Sequence, residues 1–193
     1  MIYIVRHGQT AGNKANVLQG RGSNHPLNED GVRQAEKVCR WFEAQHIRFD
    51  GVYSSPLLRA VQTARIIAPG VEPVTDDRLL EMDYGPYEGM DLKNPSPQVL
   101  AFFSDFVNQP APAGMEPLPD VVKRLGDFLE MLRTKEADRT ILISTHAIAM
   151  KGALEYLTPD ANGMFWGKYI RNCAVYAFCL NNGTFTIPQE VVL

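Results

Sequence analysis

Two arginines, two histidines and a group of acids lie where this chain could bring them to one ligand. Arg6 and His7 follow directly on Ile2-Tyr3-Ile4-Val5, and His146 follows on Thr140-Ile141-Leu142-Ile143-Ser144-Thr145. Arg59 closes the run Ser55-Pro56-Leu57-Leu58-Arg59, and Glu81, Asp83 and Glu88 crowd one short irregular stretch. A neutral imidazole is nucleophilic near pH 7 without special activation. Guanidiniums neutralise an anion, and a carboxyl group can carry a proton to and from a leaving oxygen. Together these groups suit displacement at a phosphate monoester, whose charge must be neutralised and whose cleavage is eased by division into two steps. Residue type alone does not choose among Glu81, Asp83 and Glu88.

Short buried elements have to hold these side chains. Residues 2–5 are β-branched and aromatic and read as a strand, ending in Arg6-His7-Gly8-Gln9-Thr10. In open α/β sheets the carboxyl end of a strand is where ligands bind. Gly8 removes a Cβ where ligand oxygens would approach the backbone. A second short strand, residues 50–55, runs into a helix, with Ser55 as the expected N-cap and Pro56 at the first helical position. Arg59 then lies at the electropositive end of that helix, which favours it only if an anion shares the site. Thr140–Ser144 is the most hydrophobic strand, and a helix from about Ala147 to Leu157 puts His146 at a helix N-terminus. Amphipathic helices are predicted from Glu29 to Ala44, with Asn28 as N-cap and Val32, Ala35, Cys39 and Phe42 inward, and from Asp120 to Arg133. Two closing strands, 169–180 and 184–188, meet at the turn signal Asn181-Asn182-Gly183.

Size and composition set bounds. A chain of 193 residues with 45% hydrophobic content suits one compact α/β domain. Its formal charge of −3 speaks against non-specific nucleic-acid binding, which needs a basic stripe. Cys39, Cys173 and Cys179 are odd in number and lack CxxC spacing, so reduced core thiols are expected. The four histidines are dispersed, and neither a metal site nor another cofactor is expected. Only four apolar residues precede Arg6 after the initial Met, so no signal peptide is expected, and no apolar run reaches membrane-spanning length. A cytoplasmic location is the expectation.

Arg6-His7-Gly8-Gln9-Thr10 followed by Asn13 resembles the signature of the histidine phosphatase superfamily, the phosphoglycerate-mutase-like enzymes. Further parts follow in the family's order: Gln19-Gly20, Pro26-Leu27, Gly31, Gln34-Ala35, Ser54-Ser55-Pro56-Leu57-Leu58-Arg59-Ala60-Val61-Gln62-Thr63-Ala64, Glu88-Gly89 and Asn172. The resemblance implies a mostly parallel central sheet flanked by helices on both faces, in a single domain over residues 1–193. It makes His7 the nucleophile, with Arg6, Arg59 and a protonated His146 holding phosphoryl oxygens, and it chooses Glu81 as the acid. Asn13, Gln19 and Gly20 would complete the phosphate cradle. Relatives usually have an Asp shortly before Pro-Leu and a Gly after the second His. This chain has Asn24, read as a local structural change, and Ala147, which keeps its backbone N–H for the substrate while adding a methyl group near the pocket.

Residues 90–118 are expected to form a small helical cap insertion, with one short helix near 98–107 between prolines. Phe102 and Phe103 cannot face the same way, so one of them can reach the pocket. The segment carries Lys93 against Asp91, Asp105 and Glu116 and has no Arg. A mutase must retain a doubly phosphorylated acid, which calls for more cations. The segment therefore favours hydrolysis of a monophosphate with a neutral or partly apolar leaving group. A phosphoglycerate-mutase-type phosphotransferase and a catalytically silent phospho-ligand binding module are the alternatives.

Overall fold

A computed structural model describes residues 1–136 and 138–193 and lays out the elements in the following order. Strand β1 (Ile2–Arg6) leads through residues 7–10 to α1 (Ala11–Ala15), a single short helix that hydrophobic periodicity could not announce. Thr10 closes it with a reciprocal capping box: Thr10 Oγ1 accepts from the Asn13 N–H, and Asn13 Oδ1 accepts from the Thr10 N–H. Helix α2 (Glu29–Ala44) is capped by Asn28 as expected, but its buried face is Gly31, Ala35, Val38 and Phe42. Val32 and Cys39 lie off that stripe. Then come β2 (Gly51–Ser54), α3 (Leu58–Ile67), β3 (Val74–Thr75), α4 (Pro97–Ser104), α5 (Leu118–Lys135), β4 (Ile141–Thr145) and α6 (Ala147–Leu157). The chain closes with β5 (Val175–Phe178), β6 (Leu180–Asn181), β7 (Thr184–Phe185) and β8 (Gln189–Glu190).

The main sheet has the order β3-β2-β4-β1-β5-β8. Its β3-β2-β4-β1 part is parallel, while β5 runs antiparallel to β1 and β8 antiparallel to β5. Parallel pairing of β1 with β4 sets Arg6 opposite Thr145, so both histidine-bearing strand ends emerge at the same edge. Strand alternation sends Ile4, Ile141 and Ile143 to one core, with α5 and α6, and Val5 and Leu142 to the other, with α2 and α3. A central parallel sheet buried on both faces in this way reads as the uninterrupted apolar runs seen in the sequence.

The end of the chain differs from the two long strands expected. Only β5 is a substantial strand, and the Asn182-Gly183 turn, both residues at positive φ, joins just β6 and β7. Residues 169–174 are not strand; the Cys173 N–H donates to the Arg6 carbonyl at 3.0 Å, and Tyr169 and Ile170 border the cavity described below. The start of α3 also differs. It begins at Leu58, and the Leu58 N–H donates to Asn24 Oδ1 at 2.8 Å, so the residue departing from the family pattern helps cap the helix that carries Arg59. Ser55 Oγ accepts from the Leu57 N–H at 3.3 Å, ahead of the helix, and also meets His146.

Candidate active site

His7 leaves the end of β1 and is 4% exposed. Its Nδ1 lies 2.7 Å from the Gly8 carbonyl, and because a carbonyl can only accept, Nδ1 carries the proton. Nε2 is then the bare nitrogen of a neutral ring. Burial, and next the nearby Arg6 and Arg59 charges, hold the imidazole well below its ordinary value of 6.5. The loop around it is rigidly tied. The Gly8 N–H donates to Thr63 Oγ1 at 3.0 Å, and Asn172 Nδ2 donates to the His7 carbonyl at 3.0 Å. Helix α2 presses against the same loop: a Cβ on Gly8 would lie 2.5 Å from the Gly31 carbonyl oxygen, and one on Gly31 would lie 2.1 Å from that of Gln9.

The rings of His7 and His146 have centroids 5.1 Å apart. His146 is fully buried, and both its nitrogens are in use. Arg59 Nε donates to Nδ1 at 3.2 Å, so Nε2 carries the proton and donates to Ser55 Oγ at 2.8 Å. Burial, then Arg59, His7 and Arg6, push its pKa well below 6.5. The protonated His146 expected from the sequence is therefore replaced by a neutral ring, and the positive charge at this end comes from the guanidiniums.

Arg59 is fully buried, with its charge turned onto Gly20 O at 3.0 Å, the Ser23 carbonyl and His146. Gly20 is likewise committed to the protein. Its N–H donates to Glu88 Oε2 at 3.0 Å, and a Cβ there would meet Glu88, Met82 and Tyr84 within 2.6 Å. Gly20 thus anchors the loop and does not line the cavity, a correction to its expected place in the cradle. Glu88 also accepts from the Gly22 N–H and Ser23 Oγ, which makes it the clamp of that loop.

Glu81 is 4% exposed and sits over the N-terminus of α6. Its Oε1 accepts from the Met82, Ile148 and Ala149 N–H groups at 3.0, 3.1 and 2.9 Å. The carboxylate thereby satisfies helix donors that have no intrahelical partner. Of the other two acids, Asp83 caps the Gly85 N–H at 2.8 Å, and neither it nor Glu88 borders the cavity.

A cavity of about 540 Å³ opens at this edge of the sheet. Arg6, His7, Asn13, Gln19, Glu81 and Ala147 border it. Among the described residues, two buried donors along it have no partner, Arg6 Nε and Gln19 Nε2. Gln19 Oε1 is held by Thr10 Oγ1 at 3.0 Å, which fixes the amide with its NH2 free. Asn13 Oδ1 is similarly held by Thr10 N and Asn172 Nδ2. Unpaired buried donors of this kind call for an anionic oxygen. Phe103 of α4 reaches the cavity, whereas Phe102 lies fully in the core. Residues 163, 164 and 166–170, with Trp166 and Tyr169, and Lys151 of α6 also border the cavity and went unrecognised in the sequence. The available signal was a lone Lys in an apolar helix, four residues after Ala147 and so on the same helix face.

Among the described residues, no cluster of three or more His, Cys, Asp or Glu is placed to hold a metal ion, and no helix is long and apolar enough to cross a membrane. The cysteines are free, and burial pushes the Cys173 thiol up to about 12.

Comparison with known proteins agrees with this arrangement. Fructose-2,6-bisphosphatase TIGAR of Xenopus tropicalis is 40% identical over 136 residues, which are 67% of this chain and 48% of that protein, so the chain spans about half of its length. The probable phosphoglycerate mutase GpmB of Yersinia pestis (strain Pestoides F) is 34% identical over 182 residues, 90% of this chain and 82% of that protein. A phosphoserine phosphatase of Entamoeba histolytica, crystallised with 3-phosphoglyceric acid, shares the fold with a TM-score of 0.85 at 24% identity, covering 100% of this chain and 96% of that one. The profile of the histidine phosphatase superfamily (branch 1) matches residues 2–190, and the chain belongs to that family.

Proposed function

We propose that this protein hydrolyses the phosphate monoester of a small metabolite through a phosphohistidine on His7. The observation that carries the reading is the tautomer of His7, whose Nδ1–H is fixed on the Gly8 carbonyl, leaving Nε2 bare in a ring kept neutral by its surroundings. Nε2 attacks phosphorus in line, forming the N–P bond as the ester P–O bond breaks. The departing oxygen takes a proton from Glu81 as general acid. Water then attacks the phosphohistidine, giving its proton to Glu81 and releasing inorganic phosphate and free imidazole. Arg6 Nε and Gln19 Nε2, unpaired beside the cavity, meet the phosphoryl oxygens, with the Asn13 amide NH2 and the Ala147 N–H as further donors. Arg59 adds positive charge, and neutral His146 donates through Nε2–H after exchanging Ser55 for the phosphoryl group.

The substrate enters as a small molecule, and a cytoplasmic setting and a cap role for residues 90–118 belong to the same reading. The test is turnover of p-nitrophenyl phosphate in EDTA by wild type and by His7→Ala. Loss of roughly 10³-fold or more in the variant is the expected result. Equal turnover by the two proteins contradicts the nucleophile, and none in either favours a silent binding module. The likeness to a probable phosphoglycerate mutase keeps a transferase in view. Phosphate exchange between the positions of phosphoglycerate at a rate exceeding hydrolysis would identify one.

A further inference from the structure

The cavity also holds, within the field of Arg6 and Glu81, a cation that the proposed phosphoryl transfer leaves unused. We propose that Lys151, together with Phe106 and Trp166, forms a second anion-binding subsite, which receives a carboxylate or second phosphate carried by the leaving group. The inference rests on the phosphatase reading and specifies its substrate class.

Lys151 is 8% exposed and borders the cavity. Its Nζ donates to the Trp166 carbonyl at 2.6 Å and lies 4.9 Å from the centroid of the Phe106 ring. Both contacts fix the ammonium on the side of the cavity formed by residues 103–107 and 163–170. An ammonium has three N–H donors, and among the described residues one of them finds an acceptor. Among the described residues, no carboxylate lies within 4 Å of it.

Of the other charged groups bordering the cavity, Lys168, Asp105 and Glu81 have hydrogen-bond partners, and Arg6 serves the phosphoryl group. Lys168 turns its ammonium to Tyr176 Oη at 3.0 Å and Glu190 at 3.3 Å. The carboxylate of Asp105 accepts from the Asn108 backbone and side chain. Glu81 is held by backbone N–H groups, and Arg6 Nη1 donates to the Ile170 carbonyl at 2.5 Å. Burial lowers the Lys151 pKa to about 8, partly offset by the field of Glu81 and reinforced by that of Arg6. A buried, uncompensated charge is retained against a stability cost, and an apolar residue would suit its helix, whose neighbours Ile148, Met150 and Leu154 are all buried. Phe103, Phe106 and Trp166 supply the dry, flat surface around it. Residues 90–118 alone pointed to a neutral or partly apolar leaving group, because the cation comes from α6, outside that segment.

Three substrates separate the possibilities: glycerol 3-phosphate, 3-phosphoglycerate, which replaces its terminal hydroxymethyl by a carboxylate, and fructose 2,6-bisphosphate, which brings a second phosphate. Wild type is expected to prefer at least one anionic substrate over glycerol 3-phosphate by about tenfold or more in kcat/KM, chiefly through KM. Which anionic substrate is preferred identifies the source of the charge. Lys151→Gln should reduce that preference by about tenfold, and Lys151→Arg should keep most of it. Absence of any preference in wild type overturns the proposal. So does an equal loss on all substrates in Lys151→Gln, which marks a purely structural role. If no protein turns over any substrate, the phosphatase reading fails, and calorimetric titration with 3-phosphoglycerate and glycerol 3-phosphate judges the subsite alone. Tighter binding of the carboxylate by wild type but not by Lys151→Gln then supports it, and equal binding overturns it.

Discussion

The position of one proton on His7 decides what that residue can do. With Nδ1–H held by the Gly8 carbonyl, Nε2 is available without any base to activate it. The same burial that keeps His7 and His146 neutral has a cost in acid. Both folded-state pKa values lie well below 6.5, so between those values and 6.5 the unfolded chain binds more protons than the folded one. Stability should therefore be undiminished above pH 6.5 and decline as pH falls below it. His146→Gln is expected to flatten that decline, as measured by urea midpoints across pH 5 to 7.5; an unchanged slope would contradict the neutral assignment. Ser55 tests the geometry of the same ring. Ser55→Ala removes the acceptor of His146 Nε2–H, and kcat should fall by roughly tenfold with little change in urea midpoint. A large stability loss with unaltered kcat would show that Ser55 serves the fold instead.

Elements meet at the site with little tolerance. Helix α2 touches the loop after β1 backbone to backbone at Gly8 and Gly31. Gly31→Ala must push this helix away from Gln9, at a cost of about 1–3 kcal/mol, and should lower kcat as His7 shifts. Unfolding curves and kinetics on the same sample check both effects. Helix α6 is coupled to the chemistry differently, since Glu81 satisfies its first N–H groups. Glu81→Gln should lose about 1 kcal/mol of stability from the weaker helix cap and on the order of a hundredfold in kcat. A kcat loss without any stability change would separate the two roles. The motif-bearing elements were legible in the sequence because strands advertise themselves through apolar runs and α2 through its cap Asn28, although α3 starts two residues beyond Pro56. The helix α1 was hidden by its single turn, and β8 by two exposed residues whose pairing is dictated by β5. Lys151 and residues 163–170 were missed for another reason: they acquire meaning only when distant segments fold over the same cavity. The protonation of His146 was misjudged because Arg59, 87 residues away in sequence, donates to it.

At the scale of the molecule, one sheet separates two cores and brings its chemistry to a single edge. Leu142 and Ile143 are neighbours in β4, both fully buried, and serve opposite faces. Replacing either by Ala should cost about 2–5 kcal/mol, read from denaturant midpoints, with kcat retained where the fold persists. The opposite pattern, lost kcat at unchanged stability, would mean that the cores help shape the site directly. The central claim is the covalent intermediate. Rapid quenching of the enzyme with a radiolabelled phosphate monoester, followed by denaturation and peptide mapping, tests it most directly. Label on His7, stable in alkali and lost in acid, is the predicted result. Turnover with no label on His7, or with label on another residue, would contradict it.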